Sequence, residues 1–166
     1  TRRICARLVE EGVGVTFRIE TRLDMVSDET LSALKRAGCT RIKVGVESGS
    51  ERVRREMNKK LSTESILRGV EKIRRHGIAL TVNWMVGWPD ETESEFQETY
   101  ALAKRINADW NTLSSLVPYP GTALWKTHAG SVALSGVPLW ENFFHTSLKP
   151  MLNAQVRVES IEQFLK

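Results

Sequence analysis

Apolar and polar positions follow two different periods along this chain, and the regular exchange of one period for the other predicts its architecture. Around Leu31 to Ala37 the apolar residues recur at helical spacing, Gly38 follows, and Arg41 to Val46 then alternates residue by residue before Glu47-Ser48-Gly49. The same grammar returns twice. Ile66, Val70 and Ile73 mark a helix to Arg75, His76-Gly77 ends it, and a strand from Ile78 to Val86 runs into Gly87-Trp88-Pro89. A third helix from Phe96 to Ile106 precedes a strand from Trp110 to Val117 and the turn Pro118-Tyr119-Pro120-Gly121-Thr122. An earlier strand, Val13 to Glu20, and an opening helix with Ile4, Leu8 and Val9 on one face complete the pattern. Ser27-Asp28 and the capping-box spacing of Thr92 and Glu95 predict helix starts, while Gly38 and Gly77 fit helix ends that need positive φ. Four strands alternating with helices predict a parallel α/β sheet with right-handed crossovers. Residues 1–122 carry this pattern; residues 123–166 do not, apart from a helix near Ile161 to Leu165.

The strands are not uniformly apolar, as strands covered on both faces would be. Thr16, Arg18 and Glu20 alternate with Val15, Phe17 and Ile19; Lys43, Gly45 and Glu47 with Ile42, Val44 and Val46; Thr81, Asn83, Met85 and Gly87 with Val82, Trp84 and Val86. One face therefore packs helices and the other is polar. A solvated sheet face gives the same alternation. The strand ends favour a cavity instead, because ligands of parallel α/β sheets bind at the carboxyl ends of strands, and there the chain places Glu20, Glu47 and turns rich in Gly and Pro. Gly45, Gly49 and Gly87 remove side-chain bulk beside those carboxylates. The bland alternative makes Glu47 a partner of Lys43 and Glu20 a partner of Arg18, as charge pairs inside a barrel.

Composition narrows the picture further. The 166 residues, 41% hydrophobic and 27% charged, are enough for one core, and no apolar run approaches the ~18 residues that span a bilayer. The net charge of +4 is spread over helices as solvated faces, which gives only weak support for a nucleic-acid partner. Cys5 and Cys39 are far apart, without metal-binding spacing, and Cys39 lies at the strand end opposite the candidate site. The tryptophans read as packing residues. His76 reads as a partner for a helix carboxyl end.

The string from Ala37 to Ser50 (AGCTRIKVGVESGS), followed by Met57-Asn58-Lys59, resembles the fourth-strand signature of radical S-adenosylmethionine (SAM) enzymes. Met85-Val86-Gly87-Trp88-Pro89-Asp90-Glu91-Thr92 resembles the family's fifth-strand turn, and Pro118 to Thr122 the turn after its sixth strand. The three stand in the family's order. The combination is similar to the group that includes oxygen-independent coproporphyrinogen oxidases, methylthiotransferases and cobalamin-dependent members, and the PxPGT turn with Trp140 leans toward the last.

The resemblance implies a partial TIM-type barrel of which this chain covers about strands 3 to 6. It implies a cytoplasmic enzyme with a 4Fe-4S cluster, a flavodoxin or ferredoxin as electron donor, and reductive cleavage of SAM to a 5′-deoxyadenosyl radical that acts on an unspecified substrate. Position by position, Glu20, Glu47 and Asn83 would contact SAM, chiefly its ribose hydroxyls and methionyl end, and Lys59 its carboxylate. Asn83 stands where some relatives carry an acid, and Trp88 where a Leu is usual. The CxxxCxxC loop that ligates the cluster follows the first strand in this family, and this chain is expected to start beyond it. Two other readings remain open: an ordinary TIM-type barrel with Glu47 as acid or base, and a degenerate barrel serving as a binding module. On the leading reading, this polypeptide reconstituted alone with iron and sulfide should yield no 5′-deoxyadenosine from SAM; detection of that product by chromatography would refute it.

Overall fold

A computed structural model of the chain describes residues 1–134, 152–153 and 155–166; Trp140 and His145 lie outside the described residues. Four strands form one sheet in the order β1-β2-β3-β4: β1 (Phe17–Thr21), β2 (Cys39–Glu47), β3 (Ala79–Val86) and β4 (Trp110–Ser115). All three pairings are parallel. The helices are α1 (Arg2–Glu10), α2 (Asp28–Arg36), α3 (Glu51–Glu56), α4 (Thr63–Arg75), α5 (Glu93–Ile106), α6 (Ala123–Leu134) and α7 (Val158–Leu165). The repeating helix-strand grammar of the sequence is thus the observed architecture.

Local chemistry accounts for the boundaries. Side chains of Ser27, Ser50, Ser62 and Thr92 accept a backbone N–H in the first turns of α2, α3, α4 and α5, and Thr92 with Glu95 makes the expected capping box. Gly38 and Gly77 adopt φ of 97° and 63° after α2 and α4. The first strand begins at Phe17 and not at Val13, because Gly12 and Gly14 hold positive φ and turn the chain before it can join the sheet. The last strand stops at Ser115, two residues earlier than its apolar run predicts. Helix α1 buries Cys5 and leaves Ile4 and Val9 exposed.

The helix-facing side of the sheet is the core. Ile42, Val44 and Val46 of β2 and Leu80, Val82 and Trp84 of β3 are buried against Leu31 and Leu34 of α2, Ile66, Val70 and Ile73 of α4, and Leu102, Ala103 and Ile106 of α5. Each such aliphatic side chain contributes about 1.5–3 kcal/mol by leaving water. Helix α7 extends this layer: Phe164 packs edge-on to Trp84 at 6.1 Å between ring centroids and tilted against Phe96 and Tyr100 at 6.0 and 5.9 Å.

At the carboxyl edge of the sheet the turn after β2 and helix α3 are locked to helix α5. The Gly49 N–H donates to Thr99 Oγ1 at 2.8 Å, and the Ser48 and Thr99 hydroxyls lie 3.2 Å apart. Arg52 reaches from α3 to Glu95 at 2.6 and 2.7 Å. Gly49 was expected to leave room for a ligand; instead it lies against α5, where an added Cβ would fall 2.3 Å from the Glu98 carbonyl and 2.4 Å from the Thr99 nitrogen. Backbone atoms cannot yield there. Gly49→Ala should therefore destabilise the intact protein by about 3 kcal/mol, the upper end for overpacking, in chemical denaturation. Gly12→Ala, with nothing within 4 Å of the new methyl group, should lose only about 1 kcal/mol from its positive φ.

Candidate functional site

At the carboxyl ends of the strands the polar face opens into a cavity of about 330 Å³, walled by Glu20, Lys43, Gly45, Glu47, Lys59 and Asn83 among others. All four residues singled out from the sequence, Glu20, Glu47, Lys59 and Asn83, therefore meet in one space. They come from β1, β2, the segment after α3, and β3.

Glu47 is the most constrained of them. The pairing of β2 with β3 slips between Gly45 and Glu47, so that Gly45 faces Asn83 while Glu47 faces Trp84. Such a bulge re-aims the side chain that follows it. Glu47 also holds φ at 72°, a left-handed conformation that costs a non-glycine residue on the order of 1–2 kcal/mol. Its carboxylate Oε1 lies 2.5 Å from Lys59 Nζ, which also donates to the Gly45 carbonyl at 3.2 Å. Gly45 is what permits this pair, since a Cβ there would stand 2.2 Å from that Oε1 and 2.9 Å from the ammonium. The room that Gly45 provides is thus filled by the protein's own charges.

Lys59 is placed by the end of α3. Asn58 takes φ of 56°, and the Lys59 N–H returns to the Arg54 carbonyl at 2.8 Å, closing the helix and turning the ammonium toward the sheet. Arg54 itself is fully buried. Its guanidinium donates to the carbonyls of Leu61 (2.9 Å), Ser48 (2.6 Å) and Gly49 (2.7 Å) and to Thr63 Oγ1 (2.8 Å), and burial presses its pKa below the usual value. In sequence it read as one more basic residue on a solvated helix. Only its position beside two turns separates it from its neighbours Arg52 and Arg55.

The charge pairs differ from those considered in the sequence. Lys43 pairs with Glu20 at 3.1 Å, and Glu47 takes Lys59. Glu20 remains largely exposed, so its pairing is screened, whereas the Glu47–Lys59 pair is mostly withdrawn from solvent. The half-buried Asn83 accepts a hydrogen bond from the Thr112 hydroxyl. Arg22, which sequence reasoning missed, lines the same cavity and is held by Asp24 through two hydrogen bonds of 3.0 and 2.8 Å.

The turn after β3 forms the adjoining rim. Trp88 turns its indole N–H to Glu56 Oε2 at 2.8 Å, and Asn153 donates to the carbonyls of Trp88 and Glu91, both at 2.7 Å. Glu91 is buried; its Oε2 accepts the Gly87 N–H at 2.8 Å, while Oε1 has no partner among the described residues. The PYPGT turn ends with Thr122, whose hydroxyl accepts the Trp125 N–H at 3.1 Å and so starts α6. His76 caps α4, as expected, with Nδ1 2.8 Å from the Lys72 carbonyl and Nε2 3.8 Å from Asp28. Cys5 and Cys39 are buried, Cys39 at the amino end of β2 away from the cavity. Among the described residues no group of three His, Cys, Asp or Glu side chains could hold a metal ion, and no helix is long and apolar enough to cross a membrane.

The model of the radical SAM superfamily matches residues 1–103, and the chain belongs to that superfamily. It is 28% identical over 123 residues to an uncharacterized methyltransferase of Pyrococcus horikoshii, covering 74% of this chain and 27% of that protein. It is 36% identical over 88 residues to a tRNA-2-methylthio-N(6)-dimethylallyladenosine synthase of Caldicellulosiruptor saccharolyticus, covering 51% and 19%. In fold it is similar to the radical SAM methyltransferase TsrM of Kitasatospora setae, solved with cobalamin and a 4Fe-4S cluster bound, with a TM-score of 0.68 at 18% identity over 98% of this chain and 34% of that one. The chain spans between about a fifth and a quarter of the length of the curated relatives it matches. The four parallel strands and their helices have the fold of a radical SAM partial TIM-type barrel.

Two carboxylates on the rim turn respond to pH in opposite senses. Burial raises Glu91 from its ordinary 4.5 to about 7 despite the N–H groups of Gly87 and Trp88, so its contribution to stability is complete in acid and lost as pH rises through about 7. Arg52 holds Glu95 down at about 2, so that contribution is present above 4.5 and is lost as pH falls toward 2. Of these two carboxylates, Glu91 alone acts between pH 5 and pH 8. The melting temperature of the intact protein should fall over that interval, and Glu91→Gln should flatten the fall; equal slopes in the two proteins would remove Glu91 from this role.

Proposed function

We propose that this chain is part of a radical SAM enzyme and that its strand ends hold S-adenosylmethionine. The observation that carries the reading is the convergence of Glu20, Glu47, Lys59 and Asn83, distant in sequence, on one cavity at the carboxyl edge of a parallel sheet. The residues suit that ligand. Carboxylate and amide oxygens accept hydrogen bonds from ribose hydroxyls and from an α-ammonium group, and a lysine complements an α-carboxylate. The close Glu47–Lys59 pair fits a zwitterionic partner, since the methionyl end of SAM carries both complementary charges. The left-handed backbone at Glu47 and the bulge before it fix the carboxylate in advance, which lowers the ordering cost of binding.

When bound to a reduced 4Fe-4S cluster, SAM supplies a 5′-deoxyadenosyl radical. The two cysteines of this chain, Cys5 and Cys39, are buried away from the cavity and do not fit the cluster. The part of the described residues is to bind and orient. Lys59 and Glu47 would fix the methionyl end, Asn83 with Thr112 behind it would accept from the ribose, and the Gly87–Glu91 turn would limit water at the rim. A flavodoxin or ferredoxin is the proposed electron donor. The TsrM likeness and the PYPGT turn support cobalamin as a second cofactor, and the relatives named as tRNA-modifying synthases support a nucleic acid as the substrate class.

In the intact protein with its cluster reconstituted, Glu47→Gln should weaken SAM binding about 10-fold, the worth of one charge-assisted hydrogen bond, in calorimetric titration. Iron content and cluster absorbance should not change. Cluster loss on this substitution, or undiminished SAM affinity, would end the assignment.

A further inference from the structure

Below the strand ends, the same sheet face carries a second concavity of about 400 Å³, lined by Arg18, Arg41, Lys43, Thr81 and Thr112 with Glu20 at its upper edge. Arg18 and Arg41 are register partners on β1 and β2. They precede Glu20 and Lys43 by two residues, about 6–7 Å nearer the amino ends of the strands. Two like charges directly opposite one another on neighbouring strands are unfavourable. The only carboxylate at this concavity, Glu20, is engaged by Lys43 at 3.1 Å. Among the described residues neither guanidinium has an ion-pair partner.

Arg41 is held in a particular way. Its guanidinium carbon lies 3.3 Å from the centroid of the Trp110 ring, so the indole covers one flat face of the cation. Stacking of this kind fixes the plane of the guanidinium while leaving its in-plane N–H donors free, the geometry that binds a carboxylate or phosphate through two parallel hydrogen bonds. Trp110 is otherwise an exposed aromatic residue at the start of an edge strand, with the ring turned to the polar side of the sheet. Thr81 adds a hydroxyl donor to the same wall, while the Thr112 hydroxyl is already given to Asn83.

We infer that Arg18 and Arg41 form an anion-binding subsite, beneath the proposed cofactor cavity, for a substrate that carries a carboxylate or a phosphate. This rests on the reading that SAM occupies the strand ends and names the chemistry of what lies below it. The Glu20–Lys43 pair stands between the two spaces and belongs to the wall of both.

The test is protection of individual arginines from phenylglyoxal in the intact protein, mapped by mass spectrometry. Inorganic phosphate or glutarate at millimolar concentration should slow modification of Arg18 and Arg41 several-fold relative to the exposed Arg75, and chloride at matched ionic strength should not. Whichever anion protects identifies the group recognised. Arg18→Gln should raise the anion concentration needed to protect Arg41 about 10-fold while leaving SAM affinity within twofold. Equal protection by chloride, no protection by either anion, or unchanged protection of Arg41 in Arg18→Gln overturns the inference, as does loss of SAM binding in that variant, which would merge the two spaces into one site. Protection by an anion in a protein that fails to bind SAM would leave the subsite standing and remove the cofactor reading alone.

Discussion

A single guanidinium fixes the part of this molecule on which its candidate site depends. Arg54 is completely withdrawn from water, yet its nearest carboxylate, Glu51, is 3.5 Å away and half exposed, so the charge is stabilised mainly by three carbonyl oxygens and a hydroxyl. A buried charge without such acceptors would cost several kcal/mol. The arrangement is therefore obligatory: the chain folds with Ser48, Gly49, Leu61 and Thr63 around this group, or leaves a cation unpaired in the core. That requirement ties the turn after β2 to the segment that enters α4.

Of the two partners of the central ion pair, Lys59 lies inside the loop so closed and Glu47 directly before it. Glu47 immediately precedes the Ser48–Gly49 carbonyls that Arg54 holds, and the Lys59 N–H returns to the carbonyl of Arg54 itself at the end of α3. A residue in left-handed conformation persists only where its surroundings over-determine it. Here Arg54 below, the Gly49–Thr99 contact behind and Lys59 in front supply that determination. The adjoining rim is stiffened separately by Arg52, Glu95, Asn153 and the buried Glu91.

Much of this was legible from periodicity and punctuation. Strands β2 and β3, helices α4 and α5, their caps and the glycines that end two helices follow from side-chain period, hydroxyl capping and the steric freedom of glycine, all local properties. That Glu20, Glu47 and Asn83 share one edge was legible too, since residues at the ends of parallel strands must do so; Lys59, which lies on no strand, was named only through the family resemblance. Local pattern misread Gly49 because its reason is the backbone of α5, some fifty positions away in the chain. It passed over Arg54 because an arginine on a short helix carries no mark of burial, and over Trp110 because nothing in sequence shows Arg41 beside it.

The sequence by itself determined the parallel α/β fold, the polar face, and the strand residues Glu20, Glu47 and Asn83 at its carboxyl edge, because alternation and turn chemistry act between neighbours; Lys59 entered through the family resemblance. Tertiary structure alone decided which charges pair: Lys59 with Glu47 and Lys43 with Glu20, leaving Arg18 and Arg41 facing each other without a counter-ion among the described residues. Pairing depends on strand register, on a one-residue bulge and on where a helix end directs an ammonium group. Those are fixed only when the elements dock, since a Coulombic partner is chosen by distance in space and not by distance along the chain.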